Sequence, residues 1–420
     1  MFTKQILRFV FLWFNYSYAF GHRILWWTPF VNSEDFPINC GSRTCLISDN
    51  RSESDQASVI TFYGTDFKPY DVPIPRKNQV WAILHEESPK NNPILCNPAI
   101  AEFFNYSATY SQFSDIPLTL VHLKSIEQII DLTYFKSTQE KSIVAKKEGL
   151  ASIIYVQSAC DAPSQRDIYV KELMKFISID SYGKCLNNKP LPTSLRNPTG
   201  SMEEPQFLDL ISKYKFAIAF ENAVTDDYIT EKLWRPIRLG TVPIYLGAPN
   251  IKKWLPHENA AIVVTDFDSP KSLANYLHAL NLDDEAYNQH LQHKMDQRVQ
   301  NEKLLDAFKA KSWRDENGES FIDSFHCYLC EEAHKIDDLR QLDRHYSHHS
   351  DLRVFSCPLP TDPLTGIVNP SVWWTEYFVD SFLEGDVAQS FLKKNQNFSH
   401  DEFSNEVIRH LSHNPTIDEL

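Results

Sequence analysis

A chain of 420 residues with 41 Lys and Arg against 55 Asp and Glu carries a formal charge of −14, and no basic stripe interrupts that acidity. This excludes sequence-independent nucleic-acid binding, which needs clustered cations to neutralise phosphates. With 42% hydrophobic and 13% aromatic residues and only 11 glycines, the chain is neither disordered nor fibrous, and it is long enough to fill two ordinary cores.

Residues 1–19 place Lys4 and Arg8 before an apolar run, Phe9–Phe14, and end on Ser17 and Ala19 in a cleavage-site pattern. The run is far below the ~20 residues of a membrane-spanning helix. These residues read as a signal peptide or, uncleaved, as a short signal anchor, and membrane contact depends on that second case. Eight cysteines suit the same secretory address, as do sequons at Asn50, Asn105 and Asn397. The chain ends Ile417-Asp-Glu-Leu420, which differs from an endoplasmic-reticulum retention signal at its first residue.

After the leader, His22–Pro29 predicts a core strand, residues 32–56 a polar, turn-rich stretch holding Cys40 and Cys45, and Ser58–Tyr63 a second strand. Val80–Leu84 is a third strand. It empties into Glu86, Glu87, Ser88 and Pro89, so Glu87 stands at a strand's carboxyl end, backed by a stiff Ser-Pro pair. A carboxylate there can face a cleft as a general base, although a solvated loop glutamate is the commoner fate of that residue type. A helix is expected over Ser125–Leu132, and Lys146–Gly149 marks a hinge between residues 20–150 and 151–335.

Ala151–Gln157 opens a second Rossmann-like unit, its exit loop running from Ser158 to Arg166 at the start of a helix that reaches Phe176. Ile177–Asp180 is the next strand, and Cys160 and Cys185, flanking this strand–helix–strand unit, suit a disulfide. Lys215–Phe220 has no polar alternation and suits a strand buried on both faces. Asp226 and Asp227 offer caps for a helix over Tyr228–Leu239, which Gly240 closes before a strand at Thr241–Leu246. Glu221, Asn222, Tyr228, Thr230, Glu231 and Lys232 then share the strand-end rim where open α/β sheets bind ligands and helix N-termini take phosphate. Asp226, Asp227 and Glu231 suit simple helix capping equally well. A strand at Ala261–Val264 and a helix at Ser269–Leu280 follow. Cys327 and Cys330, with His334, His345, His348 and His349 after them, form half of a zinc pattern without its second half. Residues 336–420 carry Trp373, Trp374, Tyr377 and Phe378, which predicts a folded extension rather than a tail.

The stretch Phe220–Gly247 closely resembles the donor-binding motif of the α1,3-fucosyltransferases, glycosyltransferase family 10, in which Phe-Glu-Asn is followed by Asp-Tyr-Ile-Thr-Glu-Lys-Leu. The resemblance covers about residues 22–420 and is densest from 151 to 335. The wording around His85–Asn92 and Tyr63–Phe67 is most similar to the fucosyltransferase 10/11 subgroup. It implies a GT-B type α/β fold, with two Rossmann-like domains facing a cleft and a C-terminal extension. The acceptor-side domain is then 20–150, the GDP-fucose-binding domain 151–335 and the extension 336–420.

The family's Glu-Ser-Pro carries the base, which assigns that role to Glu87 and leaves Glu86 a bystander. Its arginine eight residues past the loop Ser binds the diphosphate, which assigns Ser158 and Arg166, though the family's Asn after that Ser is Ala159 here. The Ser-Tyr-Gly-x-Cys shared with core-type members puts Ser181 and Tyr182 near the nucleotide. The resemblance also implies that Cys327 and Cys330 pair with Cys40 and Cys45 and clamp the two domains, while Cys96 and Cys357 receive no partner. The implied reaction is inverting transfer of L-fucose from GDP-fucose to an acceptor hydroxyl. Glu231 lies near the fucose ring, and Lys232 and Arg166 stabilise the departing diphosphate, so no metal and no resident cofactor is expected. Asp66, Asp226 and Asp227 form no Asp-x-Asp metal motif. The acceptor is expected to be Ser or Thr of an EMI domain in the endoplasmic reticulum. The alternative is GlcNAc of a glycoprotein glycan in the Golgi, and a non-catalytic lumenal binder is a remote third.

Overall fold

The computed structural model describes residues 22–28, 35–76, 79–196, 202–311, 313, 320–342, 347–355 and 357–413. The expected leader and the Asp-Glu-Leu ending lie outside them. Two sheets organise the chain. The first is built from β1 (His22–Trp26), β2 (Phe36–Cys40), β3 (Arg43–Ser48), β4 (Val59–Tyr63), β5 (Val80–His85) and β6 (Tyr106–Thr109), in the order β2-β3-β1-β4-β5-β6. Only β2 runs antiparallel to its neighbour. The hairpin β2–β3 replaces the expected turn-rich stretch: its Pro, Asn and Arg side chains hide a strand that needs only Phe36 and Ile38 on one face and Cys45 and Ile47 opposite. β6 was also unforeseen, because Tyr-Ser-Ala-Thr has little apolar character of its own, yet all four residues are buried.

Helices α1 (Pro98–Ala101), α2 (Glu127–Ile130) and α3 (Thr138–Glu148) lead into the second sheet. The residues expected as a hinge are instead the last turn of α3, which Gly149 closes in the left-handed conformation. The second sheet combines β7 (Ile153–Gln157), β8 (Ile179–Gly183), β9 (Phe216–Phe220), β10 (Val242–Leu246) and β11 (Ile262–Val263), all parallel, in the order β11-β10-β9-β7-β8. α4 (Arg166–Leu173), α5 (Pro205–Ser212), α6 (Glu231–Leu239) and α7 (Pro270–Leu282) connect or follow those strands, and α8 (Asp284–Gln289), α9 (Gln292–Met295) and α10 (Glu302–Ala310) extend the helical cover.

Counted along the chain, the parallel strands of both sheets take the same doubly wound order, 2-1-3-4-5, so each sheet has a switch point between its first and third strands. Ligands bind outside the carboxyl ends of strands at such points. In the second sheet the flanking strands are β7 and β9.

From residue 320 the chain returns to the first sheet. Phe325, Leu329, Ala333 and Ile336 of α11 (Phe321–Gln341) pack with Ile24, Trp26, Ile47 and Leu84 on one face. Val387, Ala388 and Leu392 of α12 (Trp373–Lys394) and Phe403 of α13 (His400–His413) join Ile60, Phe62, Trp81 and Ile83 on the other. The extension is therefore folded, and it supplies one of the two layers that cover the first sheet. Gly385 lets α12 approach closely: a Cβ there would stand 2.6 Å from Asn97 Cβ, and Asn97 Nδ2 donates to Phe382 O at 2.6 Å.

All eight cysteines are paired. Cys40–Cys327 and Cys45–Cys330 fasten α11 to the hairpin, Cys160–Cys185 spans the β7–α4–β8 unit, and Cys96–Cys357, which the sequence left without partners, ties the turn before α1 to the extension. The first two bonds join α11 to the first sheet rather than one sheet to the other. They also leave Cys327 and Cys330 no thiolate to offer zinc. Asn105 is not a free acceptor for a glycan, since its Nδ2 donates to His348 O at 2.8 Å. Among the described residues no helix is long and apolar enough to cross a membrane.

Candidate functional site

At the switch point of the second sheet lies a cavity of about 960 Å3, lined by the polar residues Gln157, Ser158, Lys184, Glu231, Lys232 and Arg235, and by the apolar residues Ile154, Val156, Leu195 and Phe207 among others. The lining thus joins apolar side chains that suit a flat ring with charged ones that suit an anion, as a nucleotide site requires. Gly183 at the end of β8 has φ +84°, and a Cβ there would lie 2.4 Å from Gln157 O, so the floor tolerates only glycine.

The charged part of the lining is assembled by α6. Its N-cap is Thr230, not Asp226 or Asp227, and the helix starts at Glu231. Asp227, 1% exposed at φ +65°, is used elsewhere: its carboxylate accepts from Gln112 N (2.9 Å), Gln112 Nε2 (3.0 Å), Asn250 Nδ2 (2.9 Å) and Trp254 Nε1 (3.1 Å). Gln112 follows β6, so this carboxylate ties the first sheet's outgoing loop to the second.

Glu221, fully buried, accepts from Thr230 N and Thr230 Oγ1, both at 2.8 Å, and pairs with Lys232 at 3.5 Å. Burial pushes its carboxyl upward in pKa, while Lys232 opposes the shift. Lys232 also meets Glu231 at 3.3 Å. Burial disfavours its ammonium, but the two carboxylates more than offset this, so its pKa is raised. For Glu231 burial acts upward too, yet Lys232, His122 and Arg235 together hold its carboxyl down at about 2.

Of the other expected site residues, Ser158 lines the cavity. Arg166, 1% exposed, donates to Phe220 O (2.9 Å) and Ala159 O (2.8 Å), which pins the ends of β9 and β7 together beneath the cavity. Asn222 follows Glu221, and its backbone carbonyl accepts from Ser164 N at 3.0 Å. Ser181 and Tyr182 do not line the cavity. β8 runs on to Gly183, so Ser181 is fully buried with its hydroxyl on Cys185 O (2.8 Å), and the Tyr182 hydroxyl meets Tyr214 Oη (2.8 Å) in the core.

The turn after β5 approaches the same rim from the first sheet. Ser88 and Pro89 are buried, Glu87 and Lys90 partly exposed. Tyr228 hydrogen-bonds Ser88, and its hydroxyl is driven well above the ordinary tyrosine range by burial and by Glu221, Glu87 and Glu231. Glu87 is thus brought to the α6 rim although 144 residues separate it from Glu231 in sequence. Glu86 turns away: it accepts from Tyr63 Oη at 3.1 Å, and burial raises its carboxyl.

Three ionisable residues of this region carried no signal in the sequence. His122, on the crossing between the sheets, acts on Glu231, and burial lowers its pKa. Arg235 lines the cavity one turn along α6, and Lys90 follows Glu87. A lone His, a helix arginine and a turn lysine are surface residues in most chains, and only the fold gathers them here.

Residues 21–120 match the family model "Fucosyltransferase, N-terminal", and residues 144–348 match "Glycosyltransferase family 10 (fucosyltransferase) C-term". The chain is 40% identical over 395 residues to the human GDP-fucose protein O-fucosyltransferase 3, covering 90% of this chain and 81% of that one. The chain belongs to glycosyltransferase family 10, the fucosyltransferases. The Xenopus laevis GDP-fucose protein O-fucosyltransferase 3 is 38% identical over 399 residues, covering 92% of this family member and 84% of that relative. A crystal structure of an α1,3-fucosyltransferase with GDP-fucose is 18% identical, with a TM-score of 0.41 over 64% of this chain and 80% of that one.

Proposed function

We propose that the chain is an inverting fucosyltransferase that moves L-fucose from GDP-fucose to a Ser or Thr hydroxyl of a folded protein. The guanine and ribose lie against the apolar lining of the cavity, and Ser158, Asn222 and the N-terminus of α6 receive the diphosphate. Lys232 stabilises the charge that develops on the departing GDP. Arg166 acts by fixing the two loop ends and by its positive charge beneath them. Glu231, anionic at any working pH, faces the fucose ring and favours its oxocarbenium character. Glu87 takes the proton of the acceptor hydroxyl as its oxygen attacks the anomeric carbon and the bond to the diphosphate breaks. Glu221, Thr230 and Tyr228 position these groups. With Lys232 neutralising the leaving group, the reaction runs without a metal ion.

The single observation that carries this reading is the approach of Glu87 to Tyr228 on the α6 rim, with Ser88 bonded to the same tyrosine. The O-fucosyltransferase names of the relatives favour a protein acceptor. An EMI domain in the lumen of the endoplasmic reticulum is the specific acceptor and place we assign, and four disulfides suit that compartment.

The test incubates purified protein with GDP-fucose, a chelator and either a folded EMI domain or a GlcNAc-terminated glycoprotein, with products read by mass spectrometry. A deoxyhexose on Ser or Thr is expected, with turnover falling about 10²–10⁴-fold in Glu87→Gln and little changed in Glu86→Gln. Transfer to GlcNAc alone would reverse the acceptor assignment. Wild-type turnover by Glu87→Gln would remove the base.

A further inference from the structure

Lys90 stands where no structural role accounts for it. The turn that carries it is rigid: Ser88 O accepts from Asn91 N at 3.0 Å, Ser88 Oγ accepts from Lys90 N at 3.3 Å, and both Ser88 and Pro89 are buried. Its ammonium makes no hydrogen bond or ion pair with any described residue. It lies over the ring of Trp374, 5.8 Å from the ring centre, at the start of α12. That ring is itself fixed, since Trp374 Nε1 donates to Asp161 Oδ1 at 2.6 Å and Trp373 Nε1 to Asp161 Oδ2 at 3.2 Å. Asp161 lies three residues beyond Ser158, on the loop that leaves β7. The extension therefore presents Lys90 to the loop that borders the donor cavity.

The charges around Lys90 are unusual for an unpaired lysine. Arg166 and Lys232 repel it, and Asp161 and Glu87 attract it from beyond contact distance. A partly buried cation facing two others, with no carboxylate in contact, lacks an anion. Lys232 is already shared between Glu221 and Glu231, and Arg166 is committed to two backbone carbonyls. A ligand carrying two negative charges therefore meets one cation with all three of its donors unspent.

We infer that Lys90, held over Trp374, is the acceptor-wall cation for the diphosphate of the donor, contacting it across the cleft from the N-terminus of α6. The inference rests on the proposed function, because it takes the cavity to be the donor site. It gives the extension a part in donor binding: through Trp374 and Asp161 it sets the position of a ligand group that belongs to neither sheet's own strands. No bond is made or broken by Lys90, which supplies charge and hydrogen bonds only.

The test compares GDP with guanosine, which shares the base and ribose but has no phosphate, by calorimetry on the intact chain. Lys90→Gln removes the charge while keeping a polar side chain shorter by one atom, and Lys90→Arg keeps the charge. Lys90→Gln is expected to weaken GDP about 10- to 100-fold, the range for one charge-assisted hydrogen bond. It should leave guanosine unchanged, and Lys90→Arg should recover most of the loss. Equal GDP affinity in wild type and Lys90→Gln would overturn the inference alone, as would a parallel loss of guanosine binding. A wild-type protein that binds no GDP would overturn the proposed function and this role with it.

Discussion

Thr230 gives both its backbone N–H and its hydroxyl to the buried carboxylate of Glu221, at 2.8 Å each, while its Oγ1 accepts from Lys232 N (3.3 Å) and Lys232 Nζ (3.0 Å). The hydroxyl's one hydrogen and both its lone pairs are therefore used. One side chain caps α6, satisfies a buried acid and holds the cation of the site.

Replacing Thr230 by Val keeps the shape and removes those three interactions together. The loss of a cap alone costs about 0.5–2 kcal/mol, and a buried carboxylate left short of a donor costs about 1–3 kcal/mol. Thr230→Val should lower the urea midpoint accordingly. It should also weaken GDP, because Lys232 loses its tether. Unchanged GDP affinity at reduced stability would separate the cap from the site.

The cap also shows what could be read in advance. Strand β9, the helix after it, the left-handed Gly240 and strand β10 were legible within one to three residues, because burial on both faces and a glycine stop are local signals. The start of the helix was not. Asp226-Asp227 and Thr230 are equally good caps locally, and the choice fell to long-range partners: Gln112, Asn250 and Trp254 claim Asp227. Ser181 and Tyr182 were placed differently for a similar reason, since β8 ends three residues later than expected and turns their hydroxyls into the core. The pairing of Cys96 with Cys357 was illegible because nothing in the sequence says that α12 covers the first sheet.

Asp227 yields a second prediction. Asparagine tolerates its left-handed backbone equally well, so Asp227→Asn isolates the carboxylate. One acceptor oxygen becomes an NH2 group facing other N–H donors, a conflict worth about 1–3 kcal/mol. Because Gln112 belongs to the first sheet's loop and Asn250 to the second's, the variant should also loosen one sheet against the other. Hydrogen exchange at Gln112 N, faster in the variant than in wild type, is the readout.

Glu231 sets a pH dependence whose sign is fixed by its low pKa. Its carboxyl titrates at about 2 in the folded chain against 4.5 ordinarily. The folded state therefore binds fewer protons than the unfolded state between those values. Its contribution to stability is complete above about pH 4.5 and is lost as pH falls toward 2. The stability difference between wild type and Glu231→Gln should be largest near neutrality and shrink through pH 4 and pH 3, as followed by urea unfolding at each pH. A difference that grows on acidification would mean that Lys232, His122 and Arg235 do not hold this carboxylate.

The two bonds to α11 should be strongly non-additive. With Cys96–Cys357 in place, Cys40–Cys327 closes a ring of about 86 residues, from Cys40 to Cys96 and from Cys327 to Cys357, which in the chain-entropy account restricts the unfolded state by about 5 kcal/mol. Once it is closed, Cys45–Cys330 adds only the small ring from Cys40 to Cys45 and from Cys327 to Cys330, worth about half as much. Either bridge alone can hold the large ring, so deleting either one, as a Cys-to-Ala pair, should cost the smaller amount. Deleting both should cost far more than twice that, because the returning helix is then free to leave the first sheet and expose Phe325 and Leu329. Guanidinium unfolding of the three variants under non-reducing conditions measures this. Equal and additive costs would show that the bonds act on the folded packing of α11 and not on the unfolded chain.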